Sequence, residues 1–517
     1  MKGKFYITTP IYYVNASPHI GHSYTNIAAD VLARYYRKEL GDKNVWFLTG
    51  TDEHGQKIEK AAGEAKLTPQ QFVDKVVVQF KGLWSKLDIS YNDFIRTTED
   101  RHIKNVQTVL DILHKKGDIY EGEYEGWYCT PCENFWTDAQ AADGLCPDCK
   151  RPVERIKEVN YFFKLSKYQK WLIDYIKDID NYPERINFIK PVTRRNEVLG
   201  FLENNKLEDL CISRPKERLS WGITLPFSSK HVTYVWFDAL INYISAVGEF
   251  DDKGVYRSAW WGEDATVVHL IGKDILRHHA VYWPIMLEAL GIRQPTTIFA
   301  HGWWMLSDSK MSKSRGNVVS PIDMVDKFGI DTYRYFLLRD VPFGLDGNFS
   351  EESIIKRFNS DLANDLGNLV FRTLTMIEKY YGGDLPAIDI WKKDFNQQGE
   401  KIKDVISTLG QAVYTPLALG FDFSLALEKV WGLISMVNKY IEDTKPWNLA
   451  KENKTEELQF FVRLLAEAIR MISDKVCPFI PNASGLINEQ IGQDKIKKTS
   501  PLFPRLPTGK AGIETKK

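Results

Sequence analysis

Two short clusters in this chain carry residue types suited to chemistry on phosphate. The first is Tyr12-Tyr13-Val14-Asn15-Ala16-Ser17-Pro18-His19-Ile20-Gly21-His22. The second, nearly three hundred residues on, is Ser309-Lys310-Met311-Ser312-Lys313-Ser314-Arg315-Gly316-Asn317. Imidazoles at the start of a helix join ring N–H donors to the unpaired backbone N–H groups and positive dipole end found there, which together suit an anion such as a nucleotide triphosphate. Gly21 removes a side chain where a flat ligand could approach the backbone. Read alone, the first cluster also fits a helix start with exposed or metal-binding histidines. The second is a cationic loop of small residues, of a kind that can close over phosphates and stabilise charge on a transferring group. Read alone, it also fits a solvated basic loop.

Four cysteines form a third cluster. Cys129-Thr130-Pro131-Cys132 and Cys146-Pro147-Asp148-Cys149 are tight Cys-x-x-Cys knuckles 13 residues apart, and four thiolates match a closed, structural zinc site. Disulfides or buried thiols are the alternatives. The spacing is slightly shorter than the common range for such pairs.

The elements that must hold these residues can be read from periodicity. Phe5 to Thr9 reads as a strand, Ser23 to Leu40 as a helix with apolar residues at Ile27, Ala28, Val31, Leu32 and Tyr35, and Val45 to Thr49 as a second strand. This βαβ unit is half of a doubly wound nucleotide fold, and Asp52 and His54 fall at the carboxyl end of its second strand, where such sheets bind ligands. Asp52 could equally be a turn residue or cap a helix starting near Gln56. A second half is expected from His231, with strands at Val232 to Val235, Val267 to Ile271 and Thr297 to Ala300, each ending in a polar or glycine-bearing segment. Gly272-Lys273-Asp274 offers backbone approach, a cation for phosphate and a carboxylate for ribose hydroxyls. Arg214, in Ile212-Ser213-Arg214, reads by default as a surface residue. Beyond Phe358, helical spacing continues through Glu400 to Tyr414, Phe423 to Ile441 and Thr455 to Val476, as in an α-helical bundle.

Composition bounds the class. The 517 residues carry 68 basic and 68 acidic side chains, so any contact with RNA must come from local patches. Hydrophobic and charged fractions of 44% and 26% are those of an ordinary globular protein. No apolar run approaches membrane-spanning length, so a cytoplasmic protein with no membrane partner is expected.

Together, His19-Ile20-Gly21-His22 and Lys310-Met311-Ser312-Lys313-Ser314 resemble the paired signatures of class I aminoacyl-tRNA synthetases. Over roughly residues 4 to 500 the chain is most similar to the methionyl-tRNA synthetase family. The resemblance implies an α/β fold: a Rossmann-like, doubly wound nucleotide-binding domain with a zinc-bearing insertion, then an α-helical bundle that binds the anticodon. The expected boundaries are 1–115 and 231–320 for the catalytic halves, 116–230 for the insertion that guides the tRNA acceptor end, 321–349 for a connector and 350–517 for the bundle and tail. It also implies ATP-dependent formation of methionyl-adenylate with release of pyrophosphate, followed by acyl transfer to tRNA(Met), initiator tRNA included.

By the same resemblance, His19, His22, Lys310 and Lys313 are catalytic. Tyr12, Asn15, Gly21, Gly272, Lys273, Asp274 and Lys313 contact ATP, which carries Mg2+. L-Methionine is held by Ile11, Tyr13, Asp52, Trp236, Ala239, Leu240, Tyr243, Ile275 and His279, with Asp52 facing the ammonium. The aromatic members suit a thioether. His278 adjoins His279 and competes with it for the place facing the pocket. Leu240 stands where some members have proline. Asn368, Arg372 and Trp447 match anticodon contacts, Trp447 as a stacking platform. Cys129, Cys132, Cys146 and Cys149 match the ligands of one structural Zn2+. No oligonucleotide-binding barrel follows Pro507, which leads to the expectation of a monomer.

Overall fold

The computed structural model describes residues 3–15, 17–130, 134–136, 138, 141, 143–147, 149–306, 309–310, 319–393 and 396–507. It divides into two compact units, residues 1–301 and 302–517.

The first unit is built on a six-stranded parallel sheet. Its spatial order is Asp93–Arg96, Val45–Asp52, Lys4–Tyr13, Ala265–Gly272, Thr297–His301, Ile189–Lys190. The strand Lys4–Tyr13 is buried along nearly its whole length on both faces, as expected of a β-branched and aromatic run in a sheet covered by helices. Strand order reverses at this strand: its sequence neighbours lie to one side and the late strands to the other. Parallel sheets open a ligand crevice at the carboxyl ends of such a switch point.

Pro10 shapes that crevice. It has no N–H to give the ladder, and the register with Val45–Asp52 slips by one residue between Thr8 and Ile11. Pairing with Ala265–Gly272 stops at Thr8↔His269. Beyond Thr8 the strand follows only its other neighbour, placing Ile11 beside Gly50 and Tyr13 beside Asp52. A side chain at Gly50 would overlap the Ile95 carbonyl, with only 2.0 Å between them, so the strands need glycine here.

The 116–230 stretch is more entangled with this sheet than an insertion would be, because Ile189–Lys190 supplies its edge strand. The rest of the stretch includes a four-stranded antiparallel sheet dominated by the long pairing of Ile119–Cys129 with Glu154–Phe163. The strand expected at Val232 to Val235 is displaced. Ser228–Thr233 pairs antiparallel with Ser213–Pro215 and Thr224–Leu225, outside the parallel sheet, and Val235 already begins the helix Val235–Leu240. Alternating β-branched residues report a half-buried strand but not which sheet takes it.

The second unit is mainly helical. Gln397–Tyr414, Phe423–Thr444 and Thr455–Val476 form its centre, with apolar faces buried. Residues 321–349, expected as a short connector, contribute two helices, Pro321–Phe328 and Ile330–Arg339. Arg334, fully buried, donates to the Phe479 and Pro478 carbonyls at 2.9 and 3.0 Å. Asp331 accepts from the Ala483 N–H at 2.5 Å. This stretch is therefore part of the bundle's core. Among the described residues no helix is long and apolar enough to cross a membrane.

Candidate active site

His19 is the N-cap of the helix Ile20–Leu40, so the helix begins inside the motif, earlier than periodicity suggests. His19 Nδ1 accepts from the Gly21 N–H, and His22 Nδ1 accepts from the His19 N–H, both at 3.1 Å. This is a capping box built from two imidazoles. A ring nitrogen that accepts carries no proton, so in each neutral ring the proton sits on Nε2. The rings stack with centroids 3.9 Å apart. Gly21, expected to clear space for adenine, clears it first for His19: an added Cβ would lie 2.9 Å from His19 Cε1. Thr25, one turn on, meets His301 Nε2 at 2.7 Å and donates to the Gly21 carbonyl at 3.2 Å, tying the motif to the end of Thr297–His301. Tyr12 is buried, with Asn26 Nδ2 donating to its hydroxyl at 2.6 Å; Asn15 is exposed.

Gly272 ends its strand beside His301. An added Cβ there would lie 2.5 Å from Asp274 Oδ1, so the carboxylate occupies the space a side chain would take. Asp274 is exposed and Lys273 half-buried.

The residues expected to hold the amino acid form a chain of contacts. Tyr13 and Asp52 are register neighbours, and Glu53 and His54 follow Asp52. Glu53 is buried and receives Arg96 through both carboxylate oxygens at 2.7 and 2.9 Å, with Thr51 and Thr98 hydroxyls donating at 2.6 Å. The charge-assisted bidentate pair stiffens the backbone beside Asp52. His54 Nδ1 lies 2.7 Å from Asp238, on the helix that carries Trp236, Ala239 and Leu240.

Tyr243 meets His279 Nε2 at 2.7 Å. His279 Nδ1 bonds the Ile275 carbonyl at 3.0 Å, and a carbonyl only accepts, so Nδ1 carries the proton. Burial lowers His279 to a pKa of about 4, so the ring is neutral at pH 7 and Nε2 accepts. The Tyr243 hydroxyl is therefore the donor. Below it, Trp283 donates to His269 Nε2 at 3.2 Å, leaving His269 Nδ1–H for Thr8 at 2.7 Å. Burial keeps His269 neutral. The two adjacent histidines divide the site: His279 engages Tyr243, while His278 stacks on Trp236 with centroids 3.7 Å apart. His278, weighed against His279 on sequence, thus also reaches a residue of the expected pocket.

Arg214 is a correction. It is 3% exposed, donates to the Ser213 carbonyl at 2.7 Å, and its guanidinium lies 5.5 and 4.7 Å from the ring centres of Tyr128 and Tyr234. A buried cation sandwiched by rings cannot be told from a surface arginine by sequence position alone. Nearby, Trp221 Nε1 donates to the Glu53 carbonyl at 2.5 Å.

The cysteine cluster is partly described. The sulfurs of Cys129, Cys146 and Cys149 lie within 4.8 Å of one another, and no disulfide joins them. Three converging thiols fit a tetrahedral thiophilic ion such as zinc, whose bonds to sulfur of about 2.3 Å set comparable sulfur separations. Cys132 lies outside the described residues, as do Met311, Ser312, Lys313 and Ser314. Lys310 belongs to the short strand Ser309–Lys310 of the second unit.

In the second unit, Asn368 is exposed and Arg372, one turn further along Asn368–Tyr381, lies 3.8 Å from Glu442 near the end of Phe423–Thr444. Trp447 follows on Pro446–Lys451 and is 46% exposed, an unusual placement for an indole that structure alone would bury. The Arg372–Glu442 pair joins the helix of Asn368 to the helix that precedes Trp447.

The family model described as tRNA synthetases class I (M) matches residues 5–159 and 151–374. A methionine–tRNA ligase of Caldanaerobacter subterraneus is 48% identical, the match covering the whole chain and 81% of that relative. One from Clostridium tetani is 49% identical over 98% of the chain and 79% of the relative. The crystal structure of Mycobacterium tuberculosis methionyl-tRNA synthetase bound by methionyl-adenylate is similar with a TM-score of 0.87 and 36% identity, covering 97% of this chain and all of that one.

Proposed function

We propose the following site chemistry from the premise that the chain belongs to the methionyl-tRNA synthetases of class I. It is an ATP-dependent, AMP-forming ligase that joins L-methionine to its tRNA in two steps. The methionine carboxylate attacks the α-phosphorus of ATP, giving methionyl-adenylate and pyrophosphate, and the 3′-terminal adenosine of tRNA then accepts the acyl group.

The observation that carries the site assignment is the imidazole capping box at the switch point of the parallel sheet. It consigns the protons of His19 and His22 to Nε2, which makes both rings donors to phosphate oxygens without a net charge of their own. Positioning and charge stabilisation supply most of the catalysis in transfer at phosphorus. Lys310 and Lys313 would add cationic charge to the departing pyrophosphate, and Mg2+ would accompany ATP. Tyr12, Asn15, Gly272, Lys273 and Asp274 line the nucleotide's side of the crevice in this reading.

Asp52 receives the methionine ammonium. Tyr13, Trp236 and Tyr243 supply rings for the thioether, and Ile11, Ala239, Leu240 and Ile275 supply its apolar walls. The bond from Tyr243 to His279 spends the hydroxyl proton on a neutral ring, so Tyr243 offers the thioether its ring and not a free O–H donor. Zinc held by Cys129, Cys132, Cys146 and Cys149 would order the antiparallel insertion, which in this reading guides the acceptor end. Asn368, Arg372 and Trp447 read the anticodon. We assign residues 116–230 and 350–517 to acceptor-end and anticodon binding, and read the protein as a cytoplasmic monomer.

ATP–pyrophosphate exchange without tRNA, run across all twenty amino acids, tests this. Exchange with methionine alone supports reaction and substrate together. Exchange with another amino acid keeps the fold and chemistry and discards the pocket.

A further inference from the structure

We propose that Asp238, with His54 and His102, is a positioning unit that sets the distance between the two walls of the methionine site. The inference rests on the pocket assigned above and adds residues that touch none of the reacting atoms.

Asp238 is fully buried in an otherwise apolar helix, Val235–Leu240. Its Oδ2 lies 2.7 Å from His54 Nδ1 and its Oδ1 lies 2.6 Å from His102 Nε2. A buried carboxylate is costly unless both oxygens are satisfied, and here each oxygen has one imidazole. Burial alone would raise its pKa, yet the two imidazoles hold it below the usual carboxylate range, so it is ionised. An ionised carboxylate only accepts. His54 must therefore donate from Nδ1 and His102 from Nε2, and His102 Nδ1 lies 3.2 Å from the Ser245 hydroxyl.

The three residues come from three elements. His54 follows Asp52 at the end of Val45–Asp52, which bears the proposed counter-charge for the ammonium. Asp238 shares its helix with Trp236, Ala239 and Leu240, which face the methionine side chain in the same reading. His102 lies on Asp100–Lys115 and anchors the pair from behind. One carboxylate thus ties the ammonium end of the site to its thioether end, and its loss lets the two separate while the ATP contacts stay in place. Binding geometry of this kind is sensitive to displacements well under the width of an atom.

The donating atoms make the test specific. Asparagine can replace an imidazole that donates from Nδ1, and glutamine one that donates from Nε2. The variants are Asp238→Asn, His54→Asn, His54→Leu, His102→Gln and His102→Leu, each assayed by methionine-dependent exchange. Asp238→Asn and both leucine variants should raise KM for methionine about tenfold, near the lower end of what losing a hydrogen bond to a buried charge costs. KM for ATP and kcat should stay within about twofold. His54→Asn and His102→Gln should recover most of the methionine KM. Should Asp238→Asn not fold, the Gln/Leu and Asn/Leu pairs decide alone. Equal effects of the amide and leucine variants, or equal rises in both KM values, would overturn the proposal. Wild-type exchange with methionine, together with a raised methionine KM in Asp52→Ala, keeps the pocket itself standing in that event.

Discussion

A methyl group at position 21 would sit 2.9 Å from the His19 ring, inside van der Waals contact and on a side chain already committed as a helix cap. Gly21→Ala should therefore push His19 out of its bond with the Gly21 N–H. Thermal melting should report a loss of about 1 kcal/mol, the usual worth of an N-cap. Exchange at saturating methionine and ATP should slow by about tenfold or more, because the Nε2 donors lose their aim. Unchanged exchange would mean that the capping geometry is irrelevant to the phosphates. His279 and His269 set a different dependence. Burial lowers His279 from an unfolded value near 6.5 to about 4, and lowers His269 as well. The unfolded chain binds these protons first as pH falls, so stability is full above about pH 6.5 and declines toward pH 4. His279 alone accounts for roughly 3 kcal/mol across that window. Melts at pH 7 and pH 5 check this: His279→Gln should lessen the drop, and an identical drop in the variant would refute the assignment.

The antiparallel insertion brings the thiols of Cys129, Cys146 and Cys149 together. Among the described residues, Trp136, Ala141 and Val153 are buried with Cys129 and Cys146, and Trp127 packs partly buried against them. A structural zinc site contributes folding energy directly, which three converging thiols would recruit here. Metal analysis should give one zinc per chain. Stripping the metal, or Cys146→Ser, should expose residues near 130–150 to proteolysis and depress tRNA charging while tRNA-free exchange falls less than about twofold. A metal-free protein with full charging activity would count against the site. Elements also explain where expectation and structure part. Ile330–Arg339 lies in a stretch expected as a connector, yet its Arg334 is buried against two backbone carbonyls. A basic residue in a helical run signals solvent until the partner that satisfies it is seen.

The molecule divides after His301, which separates the parallel sheet from the helical unit that carries Asn368, Arg372 and Trp447. Activation of the amino acid needs only what binds methionine and ATP, whereas charging needs the tRNA held at a distance. Trp447→Ala should therefore raise KM for tRNA by about tenfold or more, since stacking on an aromatic ring contributes about 1–3 kcal/mol per base. Exchange without tRNA should not change; a parallel fall in exchange would refute the separation. Much of this was legible in residue order. The βαβ start, the two signature motifs, the cysteine pairs and the long helices all follow from local spacing, because periodicity and short motifs record local geometry. Three things did not. The edge strand Ile189–Lys190 is two residues long, too short for any pattern. Arg214 looks like a surface residue until Tyr128 and Tyr234 close around it. Asp238 met His54 and His102 only when chain segments 184 and 136 residues away were brought together. Sequence by itself determined which residues could do chemistry and which family their pattern resembles. Tertiary structure alone decided what His54, His102 and His269 face and which buried charge joins the site's walls, because those partners are distant in the chain.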